Sequence, residues 1–228
     1  RAIHGNHSLF DADWDVAVFE SVSGGSLDKV YGLHMWMLVS APIGFICAFF
    51  TYGAVILLRL LHNHRHRYKR VPKPVVFAFT GFIMSSMGAL VFANMGLRGL
   101  WGVGNESLQF TLKHDLASYQ FLLFACAKLV ALVLGIHIRA PGGILVPVVI
   151  TGGFLGGMVG HSLPAEFHAL QPCVIFGMVA FFAACFRTPV TPLLIVIELA
   201  GTETYALALP CALASFCSIM LGNRLCHG

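Results

Sequence analysis

Residues 142–147 form a short stretch whose main chain could bind an anion. A helix that begins at Ile144 leaves its first backbone N–H groups without intrahelical partners, and these groups carry the positive end of the helix dipole. Gly142 and Gly143 remove side chains from the approach, so an anion could contact the amides of Ile144 and Leu145 directly. The candidate anion-binding residues are Gly143, Ile144, Leu145, Val146 and Pro147, with Gly142 in support. Taken alone, the stretch could also be a simple junction between a loop and a helix.

Three charged residues lie in or beside apolar segments. Lys128 and Arg139 could draw anions toward the start of this helix. Snorkelling of the side chain to the membrane surface is the favoured explanation for Arg139, whereas Lys128 leaves both explanations open. A carboxylate at the edge of a membrane segment, such as Glu198, is by default a functional candidate. Its position near the end of a short apolar element favours a structural role at an interface.

A cluster of three histidines, His62, His64 and His66, suggests a second kind of chemistry, because closely spaced imidazoles can bind transition metals. Alternate positions on a helix do not share a face, and the neighbouring Lys and Arg side chains would repel a cation. A solvated helix end is therefore favoured over a metal site.

The composition requires these residues to be positioned by membrane helices. The 228 residues are 57% hydrophobic and only 11% charged, with a mean hydropathy of +0.81, which excludes an ordinary soluble domain. Runs without Asp, Glu, Lys or Arg approach or exceed the roughly 20 residues that cross a bilayer core, and they span 30–58, 74–97, 140–165, 167–186 and 204–223. Their continuous apolar character indicates helices and excludes a barrel of alternating strands.

The predicted helices differ widely in length. The first helix runs from about residue 31 into the basic segment at 59–73. The others cover about 75–95, 116–138, 144–160, 171–186, 190–199 and 203–223, and a short amphipathic segment covers 106–115. The segment at 190–199 is too short to cross alone, and the glycines between Gly152 and Gly160 have the spacing of closely packed membrane helices. Broken and half-length helices of this kind direct their ends at a site inside the membrane.

The charge distribution predicts the orientation in the membrane. Six of the fourteen basic residues fall within 59–73, which we place in the cytoplasm. Five of the ten acidic residues fall within 1–29, which we interpret as an extracytoplasmic loop. The remaining residues, 30–228, form the membrane domain, and because the chain starts without Met we expect it to be a fragment of a longer protein.

Several of these segments resemble the CLC family of voltage-gated chloride channels and chloride/proton antiporters. Residues 143–147 are similar to its G-x-F-x-P anion-binding motif, with Leu145 where phenylalanine is usual. Residues 187–191 and 195–198, which end at Glu198, resemble the family's R-A-P-L-T-G-I-I-L-V-x-E segment. Gly102 and Gly104 resemble a glycine-rich turn before a half-helix, and residues 5–10 the external loop that joins two halves.

This resemblance implies an all-α polytopic membrane protein, of which the chain is the second inverted-repeat half. It implies chloride transport without covalent chemistry, and hence no enzyme activity, no cofactor and no nucleic-acid partner. The ion would be held by main-chain amides in a subunit of a homodimer, with the helices within 171–223 at the interface and lipid around them. The sequence does not distinguish a channel from an antiporter, because the family's gating and proton-transfer glutamates and its pore tyrosine would lie outside this chain. The alternatives are a membrane metalloenzyme using the histidines and an inactive half-transporter.

Overall fold

The computed structural model describes residues 28–64, 72–96, 117–140, 142–163, 170–200 and 207–227. Seven α-helices account for almost all of these ranges, and no strand occurs within them. In chain order the helices are α1 (Asp28–His64), α2 (Lys73–Met95), α3 (Ser118–Ile138), α4 (Leu145–Ser162), α5 (Leu170–Phe186), α6 (Val190–Ala200) and α7 (Ala208–His227).

Within the described residues, five helices are long and apolar enough to cross a membrane. The five apolar spans are His34–Asn63, Pro74–Asn94, Ser118–Ile138, Leu145–Ser162 and Ala208–Leu225. At 11 residues, α6 is only about 16 Å long, roughly half of the bilayer core, as its sequence predicts. The predicted all-α polytopic fold with helices of unequal length is confirmed.

Helix α5 forms the centre of the described structure. Every residue from Pro172 to Ala184 is buried, because α4, α7 and α1 all pack against this helix. Trp36 of α1 reaches the core and meets Phe176 of α5 with their ring centroids 6.2 Å apart. The apolar sequence of α5 therefore reflects contact with other helices more than contact with lipid.

Glycines allow α4 and α5 to approach at backbone distance. A Cβ atom added to Gly156 would lie 2.8 Å from the carbonyl carbon of Cys173 and 3.1 Å from the Cα atom of Gly177. A Cβ atom on Gly157 would lie 2.7 Å from the ring of Phe121 on α3, and Gly152 is enclosed in the same way. The packing function predicted for the glycines of this segment is confirmed at these positions.

Helices α3 and α4 are antiparallel neighbours, and this arrangement positions the candidate site. The hydroxyls of Ser118 and Ser162 lie 3.3 Å apart, so the start of α3 lies beside the end of α4. Between the two helices, the rings of Phe124 and Phe154 pack with centroids 4.2 Å apart. The end of α3 and the start of α4 are consequently neighbours at the opposite end of the pair.

The helix boundaries differ from the predicted ones at both ends of the chain. Helix α1 begins at Asp28, three residues before the predicted start, so the predicted boundary between loop and membrane domain falls inside this helix. Helix α7 continues to His227, four residues beyond the predicted end, because no proline stops it and Gly222 is accommodated within the helix. Its predicted start at 203 lies outside the described residues.

Candidate anion site

Helix α4 begins within one residue of the predicted position. Ile144 is the residue that caps its start, with φ −90° and ψ −24°, and the amide of Val148 donates to the Ile144 carbonyl at 3.2 Å. Among the described residues, the amides of Ile144 and Leu145 donate to no backbone carbonyl. Within the described residues these two amides therefore lack a backbone acceptor, as the donors of an anion site at a helix start do.

Gly142 and Gly143 border open space. A Cβ atom added at either position would meet no atom of the described residues within 4 Å, in contrast to the enclosed glycines later in α4. Neither glycine has a positive φ, so backbone conformation does not require glycine here. Because Gly142 and Gly143 have no side chains, the approach to the amides of Ile144 and Leu145 is unobstructed.

Pro147 lies in the first turn of α4, where its missing N–H leaves no hydrogen bond unmade. Its carbonyl accepts a hydrogen bond of 2.7 Å from the hydroxyl of Thr151, which is fully buried. The buried Thr151 hydroxyl thus stabilises the first turn of α4, and it does so without occupying the backbone amides at the start of the helix.

The open approach leads into a cavity of about 410 Å³ between α2, α3 and the start of α4. Two cations, several apolar side chains and three glycines line it. The lining residues described are Met84, Lys128, Ala131, Leu132, Gly135, Ile136, Arg139, Ala140, Gly142, Gly143, Ile144 and Pro147.

One face of α3 supplies half of this lining. Its six residues from Lys128 to Arg139 follow one another at intervals of three, one, three, one and three, which is the repeat of a single helix face. Lys128 is 4% exposed, whereas Arg139 is exposed at the end of the helix. The two cations therefore lie about 16 Å apart along the helix axis, one buried and one accessible.

Arg139 ends α3 in a left-handed conformation, with φ 56° and ψ 45°. Its amide donates to the Ile136 carbonyl at 3.1 Å, and the amide of Ala140 donates to the Gly135 carbonyl at 3.0 Å. This turn redirects the chain toward the start of α4, so that the guanidinium-bearing residue and the open amides border the same cavity.

The structure brings five of the ten predicted site residues together at the cavity. Gly142, Gly143, Ile144, Pro147 and Lys128 line the cavity. Two predicted members, Leu145 and Val146, do not line it; Leu145 is exposed and Val146 is half-buried.

Other candidate residues lie away from the cavity or outside the described ranges. Glu198 is exposed near the end of α6 and does not line the cavity. Gly102 and Gly104 lie outside the described residues, as does His66. His62 is exposed near the end of α1, and in the described part of the chain no group of three or more His, Cys, Asp or Glu side chains could hold a metal ion.

Sequence reasoning missed the contribution of Met84 and the apolar face of α3. The repeat that starts at Lys128 and ends at Arg139 was readable in the sequence, since both cations share that face with Leu132 and Ile136. Met84 carried no such signal, because its place in the cavity depends on α2 packing against α3. Chemically, the assembled site offers neutral donors, two cations and apolar walls, which suit non-covalent binding of an anion.

A family model described as "Voltage gated chloride channel" matches residues 2–223. Because this match covers nearly the whole chain, the chain belongs to the voltage-gated chloride channel family. The resemblance inferred from the separate sequence segments is thereby confirmed. Family membership and the apolar helices together make the chain part of an integral, multi-pass membrane protein.

Curated relatives include both channels and exchangers. The chain is 27% identical over 209 residues to "Chloride channel protein E" of Dictyostelium discoideum, covering 86% of the chain and 21% of that protein. It is 29% identical over 148 residues to "H(+)/Cl(-) exchange transporter ClcA" of Cronobacter sakazakii, covering 61% of the chain and 31% of the relative. For the protein of the same name in Vibrio cholerae O395, the identity is 27% over 198 residues, with coverage of 85% and 40%. The matched segments thus span 21% to 40% of the length of these relatives.

Proposed function

We propose that this chain is the C-terminal half of the membrane domain of a chloride transporter and that the start of α4 holds the transported anion. The observation that carries the proposal is that Ile144, at the start of α4, lines one cavity together with Lys128 and Arg139. The names of the relatives refer to chloride, which supports chloride as the anion.

The energetics of this arrangement suit transport. An anion that leaves water must regain stabilisation from the protein, and a helix start supplies about half a positive charge together with directed N–H donors. Neutral donors bind less tightly than a salt bridge in the same low-dielectric setting would, so the ion can leave again. The nearly buried Lys128 adds long-range attraction without having to contact the ion.

The remaining half of the pore belongs, in this proposal, to a preceding segment of the same protein. Its relatives are much longer than the chain, which supports a fragment of a larger protein. Residues 59–73 face the cytoplasm and residues 1–29 the opposite side, as the charge distribution indicates.

A homodimer is part of the same proposal. Because α5 is buried within the chain, the exposed apolar side chains of α6 and α7 are what the interface within 171–223 would use. These side chains are Val190, Leu194, Leu209, Phe216 and Met220.

Chloride flux in liposomes tests the function. Purified protein that contains both halves should release chloride on addition of a potassium ionophore, and Gly143→Leu should lower the rate about tenfold or more, because its side chain enters open space before the amides. Proton movement measured in the same vesicles distinguishes exchange from passive conduction.

Gly53→Leu is the matched control, since Gly53 is an exposed glycine of α1 that also borders open space. It should leave chloride flux unchanged. Equal flux in the wild type and in Gly143→Leu would contradict the site, and a lack of chloride flux in the wild type would contradict the function.

A further inference from the structure

The hydroxyl of Thr151 lies inside the protein, about one helical turn after Pro147 on α4. Thr151 is 0% exposed, and its hydroxyl donates to the Pro147 carbonyl at 2.7 Å. A carbonyl oxygen has two lone pairs, and a regular helix uses this oxygen only for the amide four residues further on. The hydroxyl is therefore a second donor to a peptide unit in the first turn of α4.

Hydrogen bonds connect this peptide unit to the start of the helix. The Pro147 carbonyl and the Val148 amide belong to one peptide unit, and this amide donates to the Ile144 carbonyl at 3.2 Å. The Ile144 carbonyl shares its own peptide unit with the amide of Leu145, which donates to no backbone carbonyl of the described residues. A continuous chain of donors and acceptors thus runs from the Thr151 hydroxyl to the Leu145 amide.

The amide of Ile144 is not connected in this way. It shares a peptide unit with the carbonyl of Gly143, which a regular helix would pair with the amide of residue 147. Pro147 has no N–H, so that hydrogen bond is not made. Polarisation through the helix therefore reaches the Leu145 amide and not the Ile144 amide.

We propose that Thr151 is a positioning residue for chloride, because its hydroxyl polarises the hydrogen-bonded chain that ends at the Leu145 amide. A donor that binds a carbonyl makes the amide of the same peptide unit a stronger donor, and linked hydrogen bonds strengthen one another by about 10 to 30% per bond. Chloride is then bound more tightly although the groups that contact it stay neutral. This inference rests on the proposed function, which makes the Leu145 amide a donor to chloride.

Thr80 of α2 makes the same kind of hydrogen bond without such a connection. It is 7% exposed, and its hydroxyl donates to the Val76 carbonyl at 2.8 Å. In a regular helix this peptide unit is paired with the carbonyl of Lys73, whose peptide unit contains the nitrogen of Pro74 and hence no N–H. Because the chain behind Thr80 ends without a donor, Thr80 is the matched comparison for Thr151.

Chloride binding to purified protein that contains both halves tests the proposal. Thr151→Val removes the hydroxyl and nearly keeps the shape of the side chain. It should raise the chloride Kd measured by titration calorimetry about two- to threefold, because a hydrogen bond to a charged ion loses part of its strength. The flux at saturating chloride should stay close to that of the wild type. Thr151→Ser keeps the hydroxyl and should retain the wild-type Kd.

Thr80→Val is the control, since it removes an equivalent hydrogen bond from α2 and should leave the chloride Kd unchanged. Thr151→Ala also lacks the hydroxyl, and it replaces Thr151→Val in the test if that variant does not fold. A wild-type Kd without the hydroxyl, a Kd in Thr151→Ser as high as in Thr151→Val, or an equal rise in Thr80→Val would overturn the proposal. Wild-type protein that neither binds nor transports chloride would instead overturn the proposed function, so the two failures are distinguishable.

Discussion

Lys128 of α3 and Gly143 before α4 line the same cavity, although about three turns of α3 and the loop after it separate them along the chain. The lysine is 4% exposed, and Gly143 opens the approach to unpaired amides. A nearly buried cation in the same cavity as neutral donors raises the local concentration of anions without providing a strong contact ion pair. This pairing leads to the first prediction.

Lys128→Met should lower the rate of chloride transport at low ionic strength by about tenfold, because the attraction that concentrates anions in the cavity is lost. The deficit should shrink as chloride concentration and ionic strength rise. Lys128→Arg, which keeps the charge, should retain most of the rate. Flux in liposomes across a chloride series is the measurement, and a Met variant with the rate and salt dependence of the wild type would contradict the assignment.

Pro147→Ala should reduce chloride flux several-fold while leaving thermal stability nearly unchanged. Pro147 has no N–H to donate to the carbonyl of Gly143, so the helical hydrogen bonding of α4 does not continue from this position toward Gly142. Alanine permits an additional turn, whose carbonyls would pair with the amides of Ile144 and Leu145. The control is Pro42→Ala within α1, which should keep wild-type flux. A Pro147→Ala protein with wild-type flux would show that the position of the helix start does not depend on this proline.

Gly156→Leu should destabilise the protein by about 1 to 3 kcal/mol or more, because the new side chain would collide with the backbone of α5. A lower midpoint of thermal unfolding in detergent and a lower yield of monodisperse protein are the expected results. Gly53→Leu, in open space on α1, should change neither quantity appreciably. Equal midpoints for both variants would mean that α4 and α5 separate readily.

Leu194→Trp should weaken the proposed homodimer, because a larger ring on the exposed face of α6 would prevent close contact between two copies. Light scattering of the purified protein in detergent should show a shift from dimer toward monomer. Leu90→Trp places the same change on α2 at similar exposure and should leave the dimer intact. A protein that stays dimeric with Leu194→Trp but dissociates with Leu90→Trp would show that the interface lies on α2 and not on α6.

Much of the helical organisation was predictable from local sequence. The charge-free runs and the position of Pro147 placed α4 within one residue, and the short segment at 190–199 became an 11-residue helix. Helix starts are predictable because backbone pairing is local and proline or glycine restricts it locally. The end of α7 was not predictable in this way, since Gly222 lies inside the helix without ending it.

Which apolar residues face other helices was not predictable, because every helix here is apolar on most of its surface. Leu170–Phe186 and Pro74–Asn94 are both apolar, yet α5 is buried at the centre and α2 lies at the edge against α3. Hydrophobic periodicity separates buried from exposed faces only when the solvent is water. In lipid the difference depends on which helices are neighbours.

The amino-acid sequence alone was sufficient to identify a membrane protein of helices, its family, and a helix start at Ile144 suited to an anion, because composition, capping and short motifs are properties of neighbouring residues. The antiparallel packing of α3 and α4 placed Lys128 and Arg139 beside that start, and the packing of α2 added Met84. These relationships join residues that are distant in the chain, and they arise from close contact between helices, which local sequence does not specify.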